Sequence, residues 1–388
     1  MRMRSWPRTL SVTARTLPAL TRCPPIRYAK HAFHHDAHAT YHASTRPLGF
    51  LQSRKLGMCS HWTTAIAWTR NKQRPCLSTW AQPLAIFAAV ALGTYAYKSL
   101  MMILFQSKLI YMAYLPPGSR TIDKVPTSPT LRWEGVQLQS ARRRLRGFIV
   151  TARRPIDQGL RHATPASTIQ PTAVRPVIIY FQGNAGNMVH RALVFEKIVA
   201  ALPTADIVAI HTSGYGHSGG RATERALQRD AHAILDFVQC HYGEKHCHIF
   251  LYGHSLGGTI ATYLAATLPS NTVVRGLVLE NTFTSIQAMV AALYPKWLPY
   301  PWLAHYCLWN RWPAEAYIQR VQLPILFLSA QKDEIVPQGM MRTLEKNAQL
   351  AASTTWISFP HGLHDNVYQQ IGYGAALNKF IAEFSAQP

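Results

Sequence analysis

The chain has 388 residues, 48% of them apolar, enough for one large domain or two average ones. Its formal net charge of +23 comes from 40 basic against 17 acidic residues, yet residues 1–80 alone hold 13 of the bases and a single acid, Asp36. With the excess gathered there, and no zinc-finger spacing, RNP-like run or aromatic-interleaved basic stripe downstream, nucleic acid is not expected as a partner.

Residues 1–80 are rich in Arg, Ser, Thr and His. That composition fits a mitochondrial presequence, a disordered tail or an over-extended reading frame, and the residues leave all three open. A secretory signal is not expected, because Met1 to Ala32 has no apolar core. An apolar run follows, from Leu84 to Phe105, interrupted only by Lys98. As a helix it spans roughly 33 Å, against about 30 Å for a bilayer core. It predicts a single membrane anchor, with a buried or interfacial helix as the alternative. Positive charge flanks both ends (Arg70, Lys72 and Arg74; Lys108, Arg120 and Lys124), so orientation stays open.

From about residue 130 to 388 the pattern predicts one α/β domain. Trp133–Leu138 and Leu145–Val150 read as antiparallel edge strands, and residues 152–173, rich in Pro, Thr and Arg, as a loop insertion. Six short apolar runs then read as strands: Val177–Phe181, Ile207–Ile210, Ile249–Tyr252, Gly276–Leu279, Ile325–Leu328 and Trp356–Phe359. Near-continuous apolar strands alternating with helical stretches such as Glu224–Val238 and Thr259–Leu268 predict a mostly parallel, doubly wound sheet. Cys240 and Cys247 stand among His241, His246 and His248, but the spacing reads as a polar helix-to-strand loop rather than a metal site.

A serine hydroxyl needs an adjacent base, an anion to orient that base and donors for the oxyanion. Gly253-His254-Ser255-Leu256-Gly257 supplies the strand-turn-helix context of a nucleophile elbow, since strand residues precede it and a helical run follows. Gly216-His217-Ser218-Gly219-Gly220 matches the same pattern but stands some seven residues beyond its strand, which favours a loop. The acid and the histidine should follow later strands. Asp333 is the first carboxylate after Ile325–Leu328, with Glu334 as fallback and as an expected surface charge. His364 follows the last strand and is preferred to His361. The oxyanion donors are expected at the N–H of Leu256 and, in the loop Gln182–Asn187, at Asn184. This chemistry calls for no cofactor and no metal. Residues 282–313, crowded with Tyr294, Trp297, Tyr300, Trp302, Tyr306, Trp309 and Trp312, are expected to form a helical cap. The cap aromatics could line an acyl pocket, rest at a membrane interface or simply pack.

The strings Phe181–Asn187, Gly214–Gly220, Tyr252–Gly258, Glu280–Ile286 and Leu328–Pro337 together resemble the Bem-forty-six family of α/β-hydrolases. The resemblance begins near Phe105–Tyr111 and runs to the C-terminus. It implies the α/β-hydrolase fold, a membrane-anchored serine hydrolase, an endomembrane (endoplasmic reticulum) setting, and Ser255, Asp333 and His364 on the triad positions. Similar cores look like those of protein depalmitoylases, which implies an acyl-ester or lipidated substrate, while others are grouped with serine peptidases; a peptidase-like hydrolase, or a membrane scaffold that retains an idle triad, is the alternative. Two positions depart from the family pattern. Gln182-Gly183 stands where it has His-Gly, and His211-Thr212-Ser213 where it has Asn-Tyr-Arg, which puts the oxyanion loop and a structural arginine in question.

Overall fold

In the computed structural model, residues 81–121, 125–153, 174–243, 246–269 and 272–386 are described. The expected targeting segment and residues 154–173 of the expected insertion lie outside them. The apolar run forms α1 (Ala81–Leu104), 24 residues with none buried, long and apolar enough by length and composition to cross a membrane. Among the described residues, those up to Met102 and those from Ile103 onward fall in two compact units. The second unit opens with the short helix α2 (Gln106–Ile110).

That second unit is built on one eight-stranded sheet: β1 (Leu131–Ser140), β2 (Arg143–Ala152), β3 (Arg175–Phe181), β4 (Asp206–His211), β5 (Cys247–His254), β6 (Val274–Glu280), β7 (Ile325–Ala330) and β8 (Thr354–Phe359). Their spatial order is β1-β2-β4-β3-β5-β6-β7-β8. β1 and β2 pair antiparallel and β2 joins β4 antiparallel, whereas every pair from β4 to β8 is parallel. The expected antiparallel edge and all six expected parallel strands are therefore present.

Strand periodicity of two explains the layering. Val177, Ile179 and Phe181 of β3 join Ile249 and Leu251 of β5 in the core on one face, with Leu227, Ile260 and Leu344 of the covering helices α4 (Glu224–Tyr242), α5 (Leu256–Ala266) and α9 (Gln338–Asn347). The alternate residues Ile178, Tyr180, Phe250 and Tyr252 face Phe195, Ile198, Leu377 and Phe380 of α3 (Ala192–Ala201) and α10 (Tyr373–Ser385). Both faces are buried, which is why these strands are apolar throughout. Between β6 and β7 run α6 (Ile286–Leu293), α7 (Tyr300–Cys307) and α8 (Ala314–Ile318). The first two occupy the span expected for the cap.

The order matters for function. The chain leaves β3 toward β4 on one side, then returns to place β5 on the other. In an open α/β sheet, loops at the carboxyl ends of strands flanking such a reversal splay apart and leave a crevice. Here that crevice falls between the loop after β3 and the turn after β5.

Candidate active site

Ser255 occupies the single-residue turn between β5 and α5, with φ 53° and ψ −118°. A non-glycine residue at positive φ carries about 1–3 kcal/mol of strain, so the surroundings must hold it there. They do so from both sides: Ser255 N–H donates to Glu280 O at 2.9 Å, and Thr282 Oγ1 donates to Ser255 O at 2.7 Å. The flanking glycines are demanded by packing. A Cβ on Gly257 would overlap the Phe181 carbonyl, and one on Gly253 the backbone of Gly257 and Gly258. The helix begins at Leu256, not at Thr259 as the periodicity predicts, because the glycines that weaken the helical signal are there for this close approach. The Leu256 N–H is thereby in the first turn of α5, where backbone donors lack intrahelical partners.

The sequence also places His364 and Asp333 on separate loops, and the fold joins them. His364 Nδ1 lies 2.8 Å from Asp333 Oδ2 and 3.0 Å from Oδ1, with both side chains nearly buried. Asp333 is fixed in turn by the N–H groups of Ile335 (2.9 Å) and Val336 (2.7 Å). Glu334 is exposed, as expected, yet its Oε2 accepts from the His364 N–H at 3.1 Å, so it also holds the histidine loop. His361 is exposed in the turn before it.

Behind this pair lie residues that sequence reasoning did not assign. Asn281, at φ 45°, accepts from Ala330 N–H at 2.9 Å and donates through Nδ2 to His364 O at 2.9 Å. It ties the end of β6 to β7 and to the histidine loop. His254 Nε2 stands 3.0 Å from His364 O, and since a carbonyl only accepts, that nitrogen carries the proton. Burial, followed by the neighbouring charges of His364 and Arg191, pushes the His254 pKa down to about 3, so the ring is neutral. Glu280, fully buried, accepts from Tyr252 Oη at 2.5 Å, and Tyr252 meets Tyr373 at 3.0 Å. Burial raises the Glu280 pKa to about 7, partly offset by the Tyr252 hydrogen bond and by Arg191. The only signal of these roles in the sequence is adjacency: His254 precedes the nucleophile, and Glu280-Asn281 ends a strand.

The loop after β3 closes the other side of the crevice. A Cβ on Gly183 would stand 3.5 Å from Ser255 Cβ and 3.1 Å from His254 Nδ1, so glycine lets this loop approach the elbow. Gln182, one of the departures from the family pattern, donates to Gly186 O at 3.1 Å and braces the loop from within. Asn184 is half-buried, and its carbonyl accepts from Tyr215 Oη at 3.1 Å. The segment after α2 braces the loop from outside: Met112 bridges Ala185, Gly186 N–H donates to Leu115 O at 2.7 Å, and Asn187 Nδ2 to Ser119 O at 3.0 Å. Arg120, from the same segment, donates to Gly214 O and Ser218 O. It supplies a guanidinium to the glycine-rich loop whose own arginine position is Ser213.

Ser218 of the second motif is fully buried. Its hydroxyl donates to His211 O at 2.6 Å and accepts from Arg146 N–H at 2.9 Å, which commits it to the backbone. A cavity of about 530 Å³ lies near Thr272, Pro324 and Ser353, at the start of β6, β7 and β8, the edge of the sheet opposite Ser255. Its position, not its size, removes it from the chemistry.

Residues 176–305 match the alpha/beta hydrolase fold family. The chain is 30% identical to protein bem46 of Schizosaccharomyces pombe over 281 residues, 72% of this chain and 86% of that protein. It is also 30% identical to alpha/beta hydrolase domain-containing protein WAV2 of Arabidopsis thaliana over 273 residues, 68% and 82% of the two chains. A lysophosphatidylserine lipase of Danio rerio is 29% identical over 174 residues, only 42% of this chain and 44% of that one. Among solved structures, an alpha-beta hydrolase from Vibrio vulnificus superposes with a TM-score of 0.52 at 19% identity, over 70% of this chain and 90% of that one. An esterase of Pyrococcus furiosus gives 0.50 at 13%, over 68% and 97%. These likenesses to solved structures bear on the fold alone. With the sheet order, the strained elbow and two relatives matched along most of their length, the chain belongs to the Bem46 family of α/β-hydrolases.

Proposed function

We propose that the chain is a membrane-anchored serine hydrolase that cleaves acyl esters or thioesters through an acyl-enzyme. The observation that carries this reading is the His364–Asp333 pair, held at 2.8 Å on loops at the same sheet edge as the strained Ser255 turn. In this mechanism Ser255 Oγ attacks the acyl carbon while His364 Nε2 takes its proton. The carbonyl electron pair moves onto oxygen, where the N–H of Leu256 and a second donor at Asn184 hold the negative charge. Collapse expels the alcohol or thiol, which receives the proton from His364. Water then repeats the sequence, releasing the acid and restoring Ser255. Asp333 keeps Nδ1–H oriented and stabilises the imidazolium without taking up the proton itself.

The apolar α1 and the lipase among the relatives favour a substrate whose acyl chain is borne by a lipid or a lipidated protein. A palmitoyl-protein thioester and a lysophospholipid ester are the two versions to separate. A fluorophosphonate probe on membranes holding the full chain should label wild type and not Ser255→Ala. Competition by acyl thioesters, simple esters and lysophosphatidylserine then ranks the leaving groups. No Ser255-dependent labelling in a folded protein would remove the enzyme reading and leave a scaffold that retains the fold.

A further inference from the structure

The span expected for the cap meets the segment after α1 through a set of side-chain hydrogen bonds. Gln106 Nε2 donates to Cys307 O at 3.0 Å, and its Oε1 accepts from Trp309 N–H at 3.0 Å. Asn310 reaches back, with Nδ2 donating to Ser107 Oγ at 3.1 Å and Oδ1 accepting from Tyr111 Oη at 3.0 Å. Trp312 seals the joint: it is fully buried and donates from Nε1 to Tyr111 Oη at 2.8 Å. The chain that leaves α1 at Leu104 thus enters the hydrolase unit at residues latched to the end of α7.

Around that latch the surface is apolar and aromatic. Trp297 is 82% exposed, Trp302 60%, Tyr306 63% and Trp309 56%, while Phe105 and Leu109 beside the latch are 46% and 51% exposed. Trp302 and Tyr306 lie one turn apart on α7 with ring centroids 5.0 Å apart, so they present one face. A buried tryptophan and exposed tryptophans in one short segment mean that the exposed ones are not needed to pack the cap. Clustered exposed aromatics mark an interaction surface. Tryptophan and tyrosine, apolar in body and polar at the tip, are the side chains that settle at the headgroup level of a bilayer. The charge agrees: residues 105–121 and 293–313 contain no Asp or Glu, and Lys108, Lys296 and Arg311 are exposed among them. Such a composition attracts anionic lipid.

We propose that this face, formed by α7 with its flanking turns and by α2, docks on the surface of an anionic phospholipid bilayer. It rests on the reading of α1 as a membrane anchor, because α1 delivers the chain to this face two residues after its own end. The cap would then lie in the interface while the sheet stays above it.

A photo-crosslinking residue placed singly at Trp302 or Trp309 of the full chain, reconstituted in phosphatidylcholine vesicles with and without phosphatidylserine, tests this directly. Phospholipid adducts are expected at both positions but not at the equally exposed Leu350, which precedes β8 at the far edge of the sheet. Adduct yield should rise with phosphatidylserine and fall roughly fivefold for each of Lys108→Gln and Lys296→Gln. Adducts equally abundant at Leu350, or adducts to a second copy, to residues 1–80 or to another protein in place of lipid, would overturn it. Alkaline extraction of the same vesicles reports on α1 separately. Protein that resists extraction without forming adducts refutes docking alone, whereas extracted protein that had formed adducts upholds docking and refutes the anchor. As a measurement independent of the crosslinker, bromolipids should quench the wild type more than a variant with Trp297, Trp302 and Trp309 all changed to Phe.

Discussion

The two Gly-x-Ser-x-Gly stretches of this chain share one pattern and have opposite physics. Each serine has a histidine and an aspartate in its neighbourhood. At residues 216–220 all three are spent on structure: Ser218 on two backbone groups, His211 between Arg146 O and Met188 N–H, and Asp230 on Ser213 N–H and Ser140 Oγ. Burial lowers the His211 pKa to about 4, which suits a neutral ring that donates from one nitrogen and accepts at the other. At residues 253–257 the serine backbone is fixed by Glu280 and Thr282, while the histidine is held through Nδ1 by Asp333, which leaves Nε2 on the outer side of the ring. What separates a structural serine from a candidate nucleophile is which atoms the fold has already used.

Substituting both serines breaks the comparison most sharply. Ser255→Ala is expected to lower hydrolysis by a factor on the order of 10³ or more, with thermal stability nearly unchanged because alanine keeps the Cβ that strains this turn. Ser218→Ala should leave probe labelling intact and cost about 1–3 kcal/mol in denaturant unfolding, because it strands the Arg146 N–H. Equal losses of activity at equal stability would mean that the two motifs had been assigned wrongly. The carboxylates extend the test: Asp333→Asn should reduce kcat by roughly 10⁴ with the fold intact, through the wrong histidine tautomer. Asp230→Asn should show its effect in stability instead.

Glycines sharpen it at a smaller scale. Gly257→Ala drives a methyl into the Phe181 carbonyl and should cost about 3 kcal/mol or more, read as a drop in melting temperature and in Ser255 labelling. Gly219→Ala meets nothing nearer than 3.6 Å, at Arg144 O, and should stay within about 0.5 kcal/mol of wild type.

Beneath the elbow, Glu280 gives a pH signature opposite in sign to that of His211 at the other motif, whose lowered pKa makes stability fall toward acid pH. Its folded pKa, about 7, lies above its ordinary value of 4.5, so the folded protein holds a proton that the unfolded chain releases. The contribution is full below about pH 4.5 and is lost as pH rises through 7. Glu280→Gln should therefore be the more stable protein at pH 8, by up to about 3 kcal/mol, with the advantage vanishing at acid pH. A pH-independent difference between the two unfolding curves would show that Glu280 is not protonated near neutrality.

Much of this was written in the residues themselves. Strands buried on both faces must be apolar at every position, so all six parallel strands could be read from runs such as Val177–Phe181, and the antiparallel pair from shorter patterns nearby. The elbow could be read because a single-residue turn between strand and helix tolerates only glycine where backbones touch. Asp333 and His364 could be picked as candidates because each follows a strand in the order the fold requires. Pairing them was beyond the sequence, since their 2.8 Å contact spans 31 residues and depends on β7 and β8 lying side by side. Asn281 and Glu280 were beyond it too: a buried amide or carboxylate earns its role from partners brought by other strands. The same holds for Arg120, which comes from the segment after α2 to serve a loop almost a hundred residues later. Local backbone sterics and hydrophobic periodicity act along the chain, and so the sequence determined the elements and the candidate nucleophile. Hydrogen bonds between distant segments act only across space, and so the tertiary structure alone decided that the Ser218 hydroxyl is spent on His211 O and Arg146 N–H and that His364 is paired with Asp333.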